Sequence, residues 1–407
     1  MTDLRKTSTA VVLAACLLAS GCSGGKQPEP AGEETKEPVP HGYVEGAQEA
    51  AEQQSRLVMA DAATGTVRVL DLITGAVTPL RRVGPVRGIT TDGRFAYLAT
   101  GTGAEIVDGG AWTVDHGDHV HYYRAPIRPA GAVSGPGPVR AHSDPGITAL
   151  SFGDGSVRLF DREALEQAHP GAGRVLLAGR ALPGATAPVV PYEEHLVVPG
   201  AGAARDRVEI RDRTGGLVAS PGETCPEPRG TAPTRRGVVL GCADGALLVG
   251  ESGGAFSARK IPYGAAVAPA ERAAEFRHRA GSTTLTAEAG PEAAWVLDVT
   301  KRTWKRIETG PVAAVNTAGE GSPLLALGTD GSLSAYDLAT GERTARTPLL
   351  PPITDGPAPV IEVDTSRAYV NDPAGRKVYE IDFNDRLRRA RTFSLDATPA
   401  YMVETGR

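Results

Sequence analysis

Three histidines and two aspartates fall within seven consecutive residues, Asp115-His116-Gly117-Asp118-His119-Val120-His121. The whole chain of 407 residues has only eight histidines, so this stretch concentrates potential metal ligands. Neutral imidazole is a good ligand for zinc, and a carboxylate is an acceptable fourth. On an extended segment alternate side chains share a face, so His119 and His121 are expected to project together. His116 and Asp118 fall on the other face, unless a bulge at Gly117 swings them toward the same ion. A further ligand would have to come from elsewhere. His142, in Val139-Arg140-Ala141-His142-Ser143-Asp144, opens the next unit of the chain near its expected centre. His195 and His278 fit less well, and His41 lies in a polar segment where solvation suffices. The alternative use of residues 112–124 is a packing face built on Trp112, Tyr122 and Tyr123.

A site of this kind needs a rigid frame. Short β-rich runs alternate with Gly- and Asp-containing turns along most of the chain, and no amphipathic helix of normal length stands out beyond a short piece near residues 163–168. One strand pattern ending in an acidic residue recurs eight times, at residues 67–71, 104–108, 157–161, 208–212, 246–251, 294–298, 333–337 and 378–382. Four short strands per period of roughly 40–50 residues mark a β-propeller. The expected fold is therefore all-β, a single propeller of eight blades, with seven as the alternative. The first unit lacks an innermost strand, and residues 399–404 supply a spare one. A C-terminal strand completing the first blade would close the ring and hide the sheet edges. The aspartates of Asp61-Ala62-Ala63-Thr64-Gly65, Asp71-Leu72-Ile73-Thr74-Gly75 and Asp337-Leu338-Ala339-Thr340-Gly341 read as turn caps rather than catalytic groups. On this count the histidine stretch lies just after the recurring strand of the second unit, between the second and third blades.

The N-terminus adds an address. Arg5 and Lys6 precede an apolar run over residues 9–19, too short to span a bilayer. Leu18-Ala19-Ser20-Gly21-Cys22 resembles a bacterial lipobox, which implies lipidation of Cys22 and an extracytoplasmic protein anchored to the cell membrane. Residues 1–22 are then the signal peptide, and 23–55 a flexible acidic tether with seven Glu against two Lys. The propeller domain takes residues 56–407. A net charge of −5, with no basic stripe in the body, gives no electrostatic case for nucleic acid.

Two cysteines remain in the body, Cys225 and Cys242. An even pair in an exported protein points to a disulfide, here between the first and second strands of one blade. A thiolate metal site is the alternative, although no Cys-x-x-Cys spacing exists.

The stretch Gly109-Gly110-Ala111-Trp112-Thr113-Val114-Asp115-His116-Gly117-Asp118-His119-Val120-His121-Tyr122-Tyr123 resembles the AztD family, exported zinc chaperones that accompany zinc ABC transporters. Cys225-Pro226, Leu240-Gly241-Cys242-Ala243-Asp244-Gly245 and Ala368-Tyr369-Val370-Asn371-Asp372-Pro373 extend the resemblance over residues 57–407. The resemblance implies a propeller that binds Zn²⁺ through His116, His119 and His121, with Asp118 and His142 secondary. It also implies delivery of the ion to the solute-binding protein of a zinc ABC transporter. The chain is then not an enzyme.

Two rivals remain. One is a metal-independent protein-binding scaffold, since propellers host many functions. The other is a propeller enzyme. A calcium lactonase would need carboxylates and an amide gathered at the channel, for which Glu105, Asp115 and Asn316 are the available residues. The three tryptophans, Trp112, Trp295 and Trp304, do not form the repeated signature of a quinone-dependent dehydrogenase.

Overall fold

The computed structural model describes residues 44, 46–116, 119–137, 139–168, 176–354 and 356–407. Cys16, Cys22 and His41, and with them the signal and lipidation expectations, lie outside the described residues, as does Asp118. No helix among the described residues is long and apolar enough to cross a membrane.

The described residues form nine antiparallel sheets, seven of four strands and two of three. Eight of them follow one another along the chain, and consecutive strands pair as neighbours within each. This is the architecture of a β-propeller. The first sheet is built from Arg56–Ala60, Val67–Asp71 and Val77–Pro79, and its fourth strand is Tyr401–Thr405, which pairs with Arg56–Ala60 in the register Arg56↔Thr405 to Ala60↔Tyr401. The sixth has three full strands, with a single bridge between Arg277 and Thr286 where a fourth would lie.

The turn chemistry read from the sequence is present. Asp61 Oδ1 accepts from the backbone N–H of Ala63 and Thr64, and Asp71 Oδ1 does the same for Ile73 and Thr74. Gly65 sits at φ 64°, and a Cβ there would meet the Val83 carbonyl oxygen at 2.2 Å. Only glycine serves at that point.

Eight of the nine apolar clusters among the described residues bridge neighbouring sheets; the ninth, around Trp112 and Tyr123, lies elsewhere. Phe95, Tyr97 and Ile106 of the second sheet pack with Leu150, Phe152 and Phe160 of the third. Leu57, Met59 and Leu70 of the first sheet pack with Tyr369 and Val378 of the eighth. Burying each such side chain contributes about 1.5–3 kcal/mol relative to leaving it in water, so the sheets hold one another in place. The one α-helix among the described residues, Arg162–Gln167, follows the third sheet's third strand, with Asp161 as its N-cap.

Cys225 and Cys242 are bonded, with Cα atoms 5.0 Å apart. Cys242 ends the second strand of the fifth sheet, Gly237–Cys242. Cys225, however, precedes the first strand, Arg229–Thr234, instead of lying on it. Its neighbour Thr224 bridges to Arg207, which immediately precedes the fourth sheet's strand Val208–Arg211, so the disulfide secures the passage between two sheets.

The position of the histidine stretch differs from the sequence count. It does not lie between sheets. The second sheet runs Gly88–Thr91, Phe95–Thr100, Gly103–Asp108 and then, after an excursion of some twenty residues, Arg128–Ser134. The excursion is a hairpin, Ala111–Asp115 paired with Val120–Arg124. A third strand, Gln48–Ala50, pairs with Val120–Arg124 and completes a small separate sheet. Gln48–Ala50 lies in the stretch read as tether, so the described body begins before residue 56.

Candidate metal centre

The hairpin rests on a buried charged base. Asp108, at the end of the second sheet's third strand, is fully enclosed and pairs with Arg94 at 3.1 Å and Arg128 at 3.0 Å. Its carboxylate also accepts from the Gly110 N–H at 2.9 Å. The Arg94 guanidinium lies 3.8 Å from the Trp112 ring centroid, a close cation–π contact. Trp112 in turn stacks on Tyr123 across the hairpin, with centroids 5.4 Å apart. Arg56 donates to the carbonyls of Gly109 at 2.6 Å and Ala125 at 3.2 Å, pinning both ends of the excursion. Gly110, at φ 66°, allows the chain to leave the sheet there, since a Cβ would strike the Ala125 carbonyl oxygen at 2.4 Å.

The far end of the hairpin is tied down separately. Thr113 Oγ1 donates to the Gly406 carbonyl at 2.9 Å, and Arg235 pairs with Asp115 at 2.8 Å. The tip is closed by the His116 N–H donating to the His119 carbonyl at 3.0 Å.

This frame brings His116, His119 and His121 together. One potential ligand atom from each lies within 4.8 Å of the others. The rings of His116 and His119 stack at 4.9 Å, and His121 stands nearly perpendicular to both, at 5.4 and 4.9 Å. A tetrahedral zinc with Zn–N bonds of about 2.0–2.1 Å needs nitrogens roughly 3.3 Å apart. Side-chain rotation closes that difference, because His116 and His119 are exposed and His121 is only half-buried. His116 thus joins its neighbours instead of facing away from them.

His142 takes no part in this cluster. It lies on Val139–Ser143, the first strand of the third sheet, and its Nε2 is 2.9 Å from Thr231 Oγ1. Burial, with the Arg140 charge nearby, pushes its pKa down to about 4. His278 lies 3.2 Å from the Pro233 carbonyl, and burial pushes it also to about 4. Thr231 and Pro233 alternate along the inner strand of the fifth sheet, and Arg235 follows. His142 and His278 thus both contact the fifth sheet's first strand. His195 makes a local contact with the Glu193 carbonyl at 2.6 Å.

Spacing alone did not reveal Glu49. Its Oε1 lies 2.7 Å from His121 Nδ1. No local signal could have flagged it, because it comes from the third strand of the small sheet, 72 residues away.

The residues considered for an enzyme site are dispersed. Glu105 pairs with Arg81 at 3.3 Å, Asp115 pairs with Arg235, and Asn316 donates to the Ile361 carbonyl at 2.6 Å. A cavity of about 750 Å³ is lined by apolar residues such as Ile89, Val312 and Met402 together with Arg272, Arg277 and Glu288, and the histidine cluster is not part of its lining.

Fold and site together define a β-propeller that carries a surface three-histidine hairpin. The chain has an AztD-like fold. It is similar to the crystal structure of AztD from Citrobacter koseri, with TM-score 0.70 and 21% identity over 87% of this chain and 98% of that one. The apo form of the same protein matches with TM-score 0.71 and 20% identity over the same shares. The dihydro-heme d1 dehydrogenase NirN matches more loosely, with TM-score 0.52 and 15% identity over 86% of this chain and 75% of that one. No family model and no curated protein sequence matches the chain.

Proposed function

We propose that this chain is an exported, lipid-anchored zinc metallochaperone, not an enzyme. It holds one Zn²⁺ on His116, His119 and His121 and passes it to the solute-binding protein of a zinc ABC transporter. The observation that carries this reading is the convergence of three imidazole ligand atoms within 4.8 Å at an exposed hairpin tip. Asp118, adjacent in sequence, is the available carboxylate for a fourth position. The AztD resemblance supplies the partner, and the lipobox-like Leu18-Ala19-Ser20-Gly21-Cys22 supplies the anchor. The solvent-facing site supports transfer, because an incoming protein can reach the ion.

The scaffold in this reading is an eight-bladed propeller. Eight successive sheets support that count, and the pairing of Tyr401–Thr405 with Arg56–Ala60 supports closure of the ring within the first blade.

Zinc titration of the purified chain against a His119→Ala/His121→Ala double variant tests the binding step. Wild-type binding at one equivalent and loss of at least about a hundredfold in the variant are expected, since two of three ligands are gone. Equal affinity in both ends the reading. Metal-independent capture of the partner, persisting after chelation, would support the scaffold instead.

A further inference from the structure

We propose that Glu49 is a positioning residue of the metal centre: its carboxylate accepts the Nδ1–H of His121 and presents Nε2 of that ring to the ion. The inference rests on the metal reading above and deepens it. A neutral imidazole carries one proton, so whichever nitrogen donates leaves the other as the ligand. A carboxylate only accepts. At 2.7 Å, the Glu49 Oε1 contact requires the proton on His121 Nδ1. An unrestrained imidazole in water favours the opposite tautomer, so Glu49 reverses the ring's own preference. Carboxylate–histidine–metal chains of this kind recur in zinc sites, where the outer partner fixes tautomer and ring orientation.

The contact is built into the fold. Glu49 stands opposite Tyr123 in the pairing of Gln48–Ala50 with Val120–Arg124. His121 lies two residues from Tyr123 on the same face, so the pair is a diagonal cross-strand neighbour. Flanking contacts hold the strand in register. Arg124 Nε donates to Gln48 Oε1 at 3.2 Å, and Val44 and Ala47 pack on the Trp112–Tyr123 stack. The Glu49 side chain is 49% exposed and that of His121 24%, so as an ion pair the two contribute little to stability. The contribution is to orientation, and Glu49 variants should fold.

The experiment compares wild type, Glu49→Ala and Glu49→Gln by ¹⁵N NMR of the histidine rings without metal and by zinc titration. Wild-type His121 is expected in the Nδ1–H form, and Glu49→Ala in the Nε2–H form with zinc affinity weakened about 10–100-fold. The amide oxygen introduced by Glu49→Gln can still accept, so that variant should recover most of the tautomer bias and most of the affinity. A Glu49→Ala chain with the wild-type tautomer, or with affinity within about twofold of wild type, overturns the proposal. So does a Glu49→Gln chain as weak as Glu49→Ala, because charge rather than orientation would then be at work. A wild-type chain that takes up no zinc overturns the metal reading itself, and is told apart because it fails before any variant is compared.

Discussion

Asp115 Oδ2 lies 2.8 Å from Arg235 Nη2, joining the histidine hairpin to the end of the fifth sheet's inner strand across 120 residues of chain. Both side chains are well exposed, at 39% and 70%. An exposed pair of this kind contributes little to global stability. Its consequence is local, because it holds the hairpin tip over the inner strands. Arg235→Ala should leave the thermal midpoint nearly unchanged while amide exchange within residues 112–124 speeds up. Unaltered exchange there would show that the hairpin is held without this pair.

At that base, Arg94 and Asp108 are an enclosed pair, 2% and 0% exposed. Removing one partner of such a pair leaves an uncompensated charge in the interior. Arg94→Met should cost about 3–5 kcal/mol in chemical denaturation, tempered by Arg128, which still reaches Asp108 at 3.0 Å. Adding Asp108→Asn to the same chain should recover part of the loss. A purely additive pair of losses would mean that the two residues do not act on each other.

His142 and His278 give stability a pH dependence with a definite sign. Burial holds both near pKa 4, against about 6.5 for an unfolded histidine. The charges facing them are Arg140 and Asp92 on His142, and Arg277, Arg279 and Arg407 on His278, with His278 also facing His142. Between those limits the unfolded chain binds more protons, so stability is whole above about pH 6.5 and is lost as pH falls toward 4. The ceiling is roughly 3 kcal/mol per ring, reduced by the solvent each half-buried ring still meets. Denaturant midpoints at pH 7 and pH 4.5 should therefore separate more in wild type than in a His142→Asn/His278→Asn variant. An identical separation in both would refute the assignment.

The Cys225–Cys242 bond closes a loop of 17 residues within an apolar cluster that spans the fourth and fifth sheets. By chain entropy, losing it should cost about 3 kcal/mol. Cys225→Ala/Cys242→Ala should lower the unfolding free energy by that amount and leave zinc affinity unchanged, since neither cysteine belongs to the histidine cluster. Zinc lost along with the bond would instead favour a thiolate contribution.

The elements easiest to read from sequence were those whose causes are local. Val67–Asp71 and Lys377–Asp382 announce themselves by alternating apolar residues and an acidic turn cap only a few positions away. The three histidines were equally plain, being six residues from end to end. What escaped was set by pairing over long distances. Nothing near Arg128–Ser134 says that this strand returns to the second sheet after a twenty-residue excursion, and its Pro129 and Gly131 weaken the local strand signal. Glu49 is indistinguishable from the other glutamates of an acidic stretch until Gln48–Ala50 pairs with Val120–Arg124. His142 was expected nearer the cluster because its strand opens toward the centre, yet its ring is engaged by Thr231 on the inner strand of the fifth sheet.

The pairing of Tyr401–Thr405 with Arg56–Ala60 also sets a timetable. Thr405 and Arg56 are 349 residues apart. At about 5–20 residues per second, the partner strand emerges roughly 17–70 s after the strand it covers. Throughout that interval Leu57, Val58 and Met59, all enclosed in the finished protein, belong to a strand with an open edge. The first sheet is thus the first to be synthesised and the last to be completed, so the nascent chain must be kept from pairing with other chains until its C-terminal strand arrives.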